Sequence, residues 1–167
     1  LKLLTRELGG LDILVNNAGT GASGSIEDLS IDDYDRVMNL NLRSVIGLCK
    51  QAVPDLKKSK NPAIINIASV AGTLSYPGGT AYATSKHALR GFTACLFDDL
   101  REHGIKVSAI SPGYVNTDMV QSPKLDSNKM IQTQDIVDAL MYLLNASSTV
   151  CPTEIILRPQ IAPYIQE

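Results

Sequence analysis

The sequence predicts an α/β fold in which helices lie on both faces of a parallel sheet. Short runs of branched apolar residues alternate along the 167-residue chain with longer segments of helical periodicity. The run Ala63–Ala68 is densely apolar and follows an Asn61-Pro62 break, a pattern typical of a strand buried on both faces. The length and the hydrophobic content of 44% suffice for a single domain, residues 1–167, with a core of its own.

Composition and charge narrow the classes of partner. A net charge of −2 gives no basic surface, which argues against nucleic acid or an anionic membrane as the main partner. No apolar run is long enough to span a bilayer. Cys49, Cys95 and Cys151 are widely spaced and form no CxxC motif, so we expect reduced thiols and an intracellular, cytoplasmic location. The two histidines lie far apart in sequence, and no metal site is predicted.

The first part of the chain contains a helix end, a strand and a turn. Leu1–Leu8, followed by two glycines, indicates the last turns of an amphipathic helix with a glycine cap. Leu11–Asn16 is predicted to be a short strand, and residues 17–24 a glycine-rich turn. Three glycines of this turn have the spacing of a G-x-G-x-x-G motif. No apolar helix opens directly after them, so an ordinary turn is the better interpretation.

A long helix is predicted to begin at Ser30, where Ser-Ile-Asp-Asp has the form of a capping box, and to continue through Cys49. Asn41 falls in the middle of this helix, where asparagine ordinarily competes for backbone hydrogen bonds. Pro54 ends or bends the helix. The remaining predicted elements are a helix over Thr80–Glu102, a strand over Ile105–Ile110, a polar segment over Asp118–Gln132, a helix from Thr133 to Leu144 and a strand over Glu154–Arg158.

Three polar residues suggest chemistry on an oxygen atom. Ser69 follows a buried strand, and the carboxyl ends of parallel strands are where ligands bind in open sheets. Tyr82 and Lys86 are four residues apart in a helical segment and therefore share one helix face. A phenol has an ordinary pKa of about 10, and we expect the neighbouring ammonium group to lower the pKa of Tyr82 into the range of a general acid or base. The Ser69 hydroxyl could stabilise the oxygen on which charge develops.

The order of these residues resembles the active-site signature of the short-chain dehydrogenase/reductase family. Tyr82-x-x-x-Lys86 lies thirteen residues after Ser69, and the resemblance extends from Leu11 to Arg158. Three further motifs stand in the family's order: Asn16-Asn17-Ala18-Gly19, Asn41 within Val37–Leu42, and Pro112–Thr117. A single YxxxK is weak, but four motifs in one order are specific.

The resemblance implies a three-layer Rossmann-like fold and an NAD(P)-dependent oxidoreductase that interconverts a carbonyl and a secondary alcohol. It implies that Tyr82 is the general acid or base, Lys86 its partner and a ribose contact, Ser69 the oxygen stabiliser, and Asn41 the support of a water that connects to Lys86. A homodimer or homotetramer built on the two long helices is also implied. The implied cofactor contacts are Asn16, Ala18, Gly19, Tyr82, Lys86, Pro112, Gly113, Val115 and Thr117. The ending Ile-Ile-Leu-Arg-Pro is similar to members that use NADP, which is therefore slightly favoured over NAD.

The family's glycine-rich turn after the first strand has no counterpart in this sequence. We therefore expect strands four to seven of a doubly wound, N-terminally truncated sheet, with Ile13-Leu14-Val15 exposed at its edge as a site of strand pairing. This absence leaves open an alternative, a non-catalytic family member that acts only by pairing with other subunits. Blander interpretations also remain: Asn16 and Asn17 could simply hydrogen-bond their turn, and the long helices could pack only on their own sheet. A serine hydrolase is disfavoured because no G-x-S-x-G is present.

Overall fold

Four parallel strands form the centre of the computed structural model, which describes residues 1–120 and 122–165. The sheet order is β1-β2-β3-β4, with Ile13 opposite Ala63, Ile64 opposite Val107 and Ile110 opposite Ile155. The strands are β1 (Ile13–Asn16), β2 (Ala63–Ile67), β3 (Lys106–Pro112) and β4 (Glu154–Leu157). The helices are α1 (Lys2–Leu8), α2 (Ile31–Met38), α3 (Ser44–Leu56), α4 (Thr80–Leu100) and α5 (Thr133–Asn145), with 3₁₀ turns at Val70–Gly72, Arg101–His103, Asp118–Val120 and Ser127–Lys129.

Side chains alternate between the two faces of the sheet and produce two cores. Ile64 faces a large cluster with buried residues of α3 and α4, including Leu56 and Leu89. Ile65 faces the opposite side and packs with Leu143 of α5. The sheet is therefore enclosed by two helical layers, and the predicted three-layer α/β fold is confirmed.

β1 forms one edge of the described sheet. Ile13 and Val15, which project to the face opposite Leu14, are 40% and 41% exposed. Asn16, at the end of the strand, is buried. The predicted exposed apolar edge is thus present. No helix in the described part of the chain is long and apolar enough to span a membrane.

The long helix around Asn41 differs from the prediction. Ser30 caps it as expected, since its hydroxyl accepts a hydrogen bond from the Asp33 backbone at 3.1 Å. The α-helical turns are then interrupted by a π-helical segment, Asn39–Arg43, before α3 begins. Pro54 lies inside α3, two residues before its end, so the helix does continue past it.

Two helix ends also differ in detail from the prediction. The residue that precedes α5 as its cap is Gln132 instead of Thr133, and its backbone N–H donates to the Asp135 carboxylate at 2.7 Å. α4 ends at Leu100, two residues before the predicted Glu102, and a 3₁₀ turn follows it. This turn closes at Gly104, whose φ of 70° is the left-handed conformation that glycine adopts most readily. The polar segment over residues 118–132 contains two 3₁₀ turns, and its residue Gln121 lies outside the described residues.

Candidate active site

Ser69 lies two residues after the end of β2 and opens the 3₁₀ turn Val70–Gly72, which we call the Ser69 turn. Its hydroxyl accepts a hydrogen bond from the Ala71 backbone at 3.1 Å and donates to the Pro112 carbonyl at 3.4 Å. The turn packs tightly against α4. A Cβ atom on Gly72 would lie 2.8 Å from the Lys86 carbonyl oxygen and 2.5 Å from Arg90 Cδ. Only glycine therefore allows the turn to pack this closely on the helix.

Tyr82 and Lys86 project from the first turns of α4 toward the carboxyl ends of the strands. The Lys86 ammonium lies 5.7 Å from the centroid of the Tyr82 ring, within cation–π range. It donates to the Ile67 carbonyl, at the end of β2, at 2.8 Å, and the side chain is buried. The hydroxyl of Ser69 lies close enough to the Tyr82 phenol to lower its pKa. The structure thus brings the three predicted catalytic side chains together.

The pKa of Tyr82 differs from the prediction. Burial raises the pKa of the phenol, the hydrogen bond with Ser69 offsets part of this increase, and Tyr76 adds to it. Burial also lowers the pKa of Lys86, to about 8. The expectation that Lys86 lowers the Tyr82 pKa is therefore wrong for this state. The ammonium faces the ring and the Ile67 carbonyl, and withdrawal of the phenol from water dominates.

Asn41 lies in the π-helical segment and is almost fully buried, at 1% exposure. Its Oδ1 accepts from the Thr20 N–H at 2.8 Å, and its Nδ2 donates to the Thr20 carbonyl at 2.8 Å and to Ser85 Oγ at 3.0 Å. A Cβ on Gly19 would lie 3.4 Å from Asn41 Oδ1 and 3.7 Å from Lys86 Nζ. Asn41 therefore fixes the turn after β1 beside Lys86. Its role in supporting a water remains a prediction.

The predicted cofactor contacts divide into two groups. Asn16 turns its side chain into the core, where Nδ2 donates to Asn66 Oδ1 at 2.8 Å and lies 3.5 Å from Cys49 Sγ. Its Oδ1 has no hydrogen-bond partner among the described residues. A contact from the Asn16 side chain to a ligand at the sheet edge is therefore not supported by this geometry. Ala18, which is exposed, and Gly19, which is half-buried, lie at the carboxyl edge of the sheet.

The end of β3 and the segment after it lie beside Ser69, whose hydroxyl donates to the Pro112 carbonyl. Gly113 donates its backbone N–H to the Leu157 carbonyl at 2.8 Å, and Val115 forms a parallel bridge with Ile131. Thr117 Oγ1 donates to the Val115 carbonyl at 3.5 Å and is exposed. Pro112 through Thr117 therefore form a backbone-anchored loop at the same edge of the sheet as Tyr82.

Sequence reasoning missed several residues that support this site. Ser85 and Thr20 orient Asn41, and Arg90 and Glu154 form an ion pair beside the Ser69 turn. Arg90 could have been found, because it continues the four-residue spacing of Tyr82 and Lys86 and must share their helix face. Glu154 carries no comparable signal, since its position depends on how β4 aligns with β3.

A parallel sheet between two helical layers, with a phenol, an ammonium group and a hydroxyl at its carboxyl edge, places the chain among the α/β oxidoreductases. The sequence profile of the short chain dehydrogenases matches residues 1–128. The chain belongs to the short-chain dehydrogenase/reductase family, as the sequence motifs predicted.

Individual relatives agree with this assignment. An uncharacterized oxidoreductase of Staphylococcus aureus is 33% identical over 159 residues, which are 95% of this chain and 69% of that protein. A short chain dehydrogenase from Burkholderia cenocepacia, solved in complex with NADP, superposes with a TM-score of 0.86 at 30% identity, over 95% of this chain and 68% of that one. A 4-hydroxyisoleucine dehydrogenase complexed with NADH gives a TM-score of 0.83 at 30% identity, over 95% of this chain and 72% of that one.

Proposed function

We propose that the protein is an NAD(P)-dependent oxidoreductase that interconverts a carbonyl compound and a secondary alcohol. The observation that carries the proposal is the position of one half-buried phenol, Tyr82, beside both the Ser69 hydroxyl and the Lys86 ammonium group. A hydroxyl and a phenol side by side can donate two hydrogen bonds to a single substrate oxygen. Such donors stabilise the negative charge that develops on a carbonyl oxygen as it is reduced.

The protonation states of Tyr82 and Lys86 at neutral pH favour carbonyl reduction over alcohol oxidation. Because burial raises its pKa, Tyr82 holds its proton at neutral pH and can act as a general acid toward the carbonyl oxygen. Lys86, with a pKa of about 8, is mainly charged at neutral pH and can stabilise the phenolate that Tyr82 becomes after it has donated the proton. Asn41 keeps the adjoining turn in place.

The residues at the carboxyl edge fit a nicotinamide dinucleotide, which when bound would supply or accept the hydride. The Lys86 ammonium has three N–H donors, of which one is given to Ile67, so donors remain for ribose hydroxyls. Gly19 keeps the space beside Lys86 free of a side chain. Ala18 and Gly19 would line the adenosine end of the dinucleotide. Pro112, Gly113, the backbone of Val115 and the hydroxyl of Thr117 would hold its nicotinamide end.

Solved relatives support this choice of cofactor. The Burkholderia protein carries NADP, the 4-hydroxyisoleucine dehydrogenase NADH, and a blue fluorescent protein from a metagenomic library, 29% identical over 95% of this chain with a TM-score of 0.86, carries NADPH. We therefore propose NADP or NAD as the cofactor, with NADP slightly favoured by the chain's last strand.

We also propose that the protein forms a homodimer or homotetramer. Ile46 and Leu48 of α3 are 40% and 36% exposed, which leaves apolar side chains of this helix outside the core. Sedimentation velocity on the protein and on an Ile46→Glu variant tests this, since loss of the larger species is expected in the variant. The three free thiols are compatible with an intracellular, cytoplasmic location.

The central test measures the oxidation of NADPH and NADH with a panel of ketones and aldehydes. Tyr82→Phe is expected to lower kcat/KM by about 10²- to 10⁴-fold, because it removes only the proton donor. Tyr142→Phe is the matched control, since Tyr142 is exposed on α5 and outside the site. A Tyr82→Phe variant with full activity would refute the proposed acid. If the protein associates with other subunits but turns over no substrate of the panel, the result would favour the alternative, a non-catalytic family member that acts through subunit association.

A further inference from the structure

The guanidinium group of Arg90 connects several segments of the candidate site. Its Nε and Nη2 donate to Oε1 and Oε2 of Glu154, each at 2.6 Å, and its Nη1 donates to the Gly72 carbonyl at 2.7 Å. Ser111 Oγ donates to Glu154 Oε1 at 2.7 Å. One ion pair therefore joins α4, β4, the last residues of β3 and the Ser69 turn.

These segments are the ones that determine where the Ser69 hydroxyl lies. Gly72 ends the turn that Ser69 opens, and its backbone N–H donates to the Ser69 carbonyl at 2.9 Å. Ser111 immediately precedes Pro112, whose carbonyl accepts from the Ser69 hydroxyl. Arg90 itself lies two helical turns after Tyr82 on the same face of α4. The Ser69 hydroxyl is thus held from its own turn and from β3, and both restraints lead to Arg90 and Glu154.

The environment of the ion pair makes it a firm connection. The side chains of Arg90 and Glu154 are each only 26% exposed, so solvent screens their attraction less than at an open surface. A planar guanidinium group that binds both carboxylate oxygens has a defined orientation, which a lysine ammonium would not provide. The Gly72 backbone lies directly on the Arg90 side chain, with no room for a Cβ atom between them.

We propose that Arg90 is a positioning residue, which acts through Gly72 and Glu154 to hold the Ser69 hydroxyl against the Tyr82 phenol. The hydrogen bonds of Arg90 go to the Glu154 carboxylate and the Gly72 carbonyl, so its action on the reacting groups is indirect. The catalytic consequence of this arrangement rests on the proposed function, whereas the restraint on the Ser69 turn does not. The two parts can therefore be tested separately.

The first test measures amide hydrogen exchange in Arg90→Gln, Arg90→Lys and the unaltered protein. Amides of residues 72–74 donate within the Ser69 turn, and their exchange is expected to become about tenfold faster or more in both variants, because a lysine cannot make the three contacts. Unchanged exchange in β2 shows that the variants are folded. Arg101→Gln, which removes an exposed arginine paired only loosely with Asp98 at 3.6 Å, is the matched control. Unchanged exchange at residues 72–74 would overturn the proposal.

The second test is the titration of Tyr82, followed by NMR of ¹³C-labelled tyrosine and assigned with Tyr82→Phe. If the Ser69 hydroxyl withdraws, the phenolate loses a donor, so the pKa of Tyr82 is expected to rise in Arg90→Gln. Glu154→Gln separates positioning from simple charge. An unpaired Arg90 charge would lower the Tyr82 pKa, whereas a loosened Ser69 turn raises it. A fall in Glu154→Gln would overturn the proposal, and this variant also serves if Arg90→Gln does not fold.

The last readout is catalysis. In an active protein, kcat of Arg90→Gln is expected to fall by about 10- to 100-fold, with a smaller change in KM, because the loss is one of alignment at the reacting oxygen. Unchanged kcat together with faster exchange would overturn the positioning role. If the unaltered protein reduces no carbonyl compound, the proposed function fails. Faster exchange and a raised Tyr82 pKa would then still support the restraint by Arg90.

Discussion

Replacement of Gly72 by alanine tests how closely the Ser69 turn packs on α4. The added Cβ would lie 2.8 Å from the Lys86 carbonyl oxygen and 3.1 Å from its carbonyl carbon, and both are backbone atoms of a helix that cannot yield easily. The turn would have to retreat by roughly 0.6 Å to restore an ordinary contact of 3.4 Å. The Arg90 side chain, 2.5 Å from the new atom, would also have to move, which strains its bond to the Gly72 carbonyl.

The expected cost is that of an overpacked core, about 1–3 kcal/mol. For a chain of this size each kcal/mol corresponds to about 2–4 °C in Tm. Calorimetry should therefore find Tm lowered by several degrees, and the steady-state assay should find a lower kcat, since the displaced turn carries Ser69. Gly91→Ala is the control. Because Gly91 lies on α4, one of the helices expected to pair subunits, it is measured in dilute solution, where association is reduced. Nothing lies within 4 Å of a Cβ at Gly91, and alanine in a helix interior stabilises by roughly 0.5–1 kcal/mol relative to glycine.

The result that would refute this reasoning is a Gly72→Ala protein with the Tm and kcat of the unaltered protein. Equal losses in Gly72→Ala and Gly91→Ala would also refute it, because a Cβ at Gly91 has no atom within 4 Å, whereas one at Gly72 would lie 2.8 Å from the Lys86 carbonyl oxygen. A loss of kcat without a loss of Tm would instead show that the turn moves at little cost in stability.

Three further predictions concern charge and hydrogen bonding. The pairing with Arg90 lowers the pKa of Glu154. The carboxylate should therefore stabilise the protein above its unfolded-state pKa of about 4.3, and this stabilisation should be lost as the pH falls through the lower folded-state pKa. In denaturant titrations over that acidic range, the stability of Glu154→Gln should depend less on pH than that of the unaltered protein. Lys86 has a pKa of about 8, so a step that needs its ammonium group should slow in pH–rate profiles above about pH 8, and a profile flat to pH 10 would contradict that role. Asn41→Ala should destabilise the protein by about 1–3 kcal/mol in denaturant titration, because the buried amide bonds to both backbone groups of Thr20 are lost.

Much of this architecture was predictable from local pattern. The strand before Ser69 was recognised by its branched apolar residues, and the four-residue spacing of Tyr82 and Lys86 was enough to place both on one face of α4. The side chain of Asn16 could also have been oriented correctly, because it lies two residues after Leu14 and must share its face of the sheet. Leu14 packs in the core beneath the helices, and so does Asn16.

The pKa of Tyr82 could not be predicted in the same way. Spacing shows that an ammonium group is near the ring, but it does not show how much water the fold removes from the phenol or which atom the ammonium faces. Burial depends on the whole chain, and here it outweighs the neighbouring charge. The Arg90–Glu154 pair is likewise a product of tertiary structure, since its partners are 64 residues apart.

The π-helical segment explains a spacing that an α-helix alone would not tolerate. Val37, Asn41, Val45 and Cys49 are all buried and follow one another at intervals of four. Four residues overshoot one α-helical turn by about 40°, so three such steps would rotate the buried stripe by about 120° and expose one end. A wider turn at residues 39–43 absorbs this drift. Deletion of a single residue from this segment would rotate α3 by about 100° relative to α2. The extra residue of the π-helical turn therefore determines which face of α3 is directed toward the core.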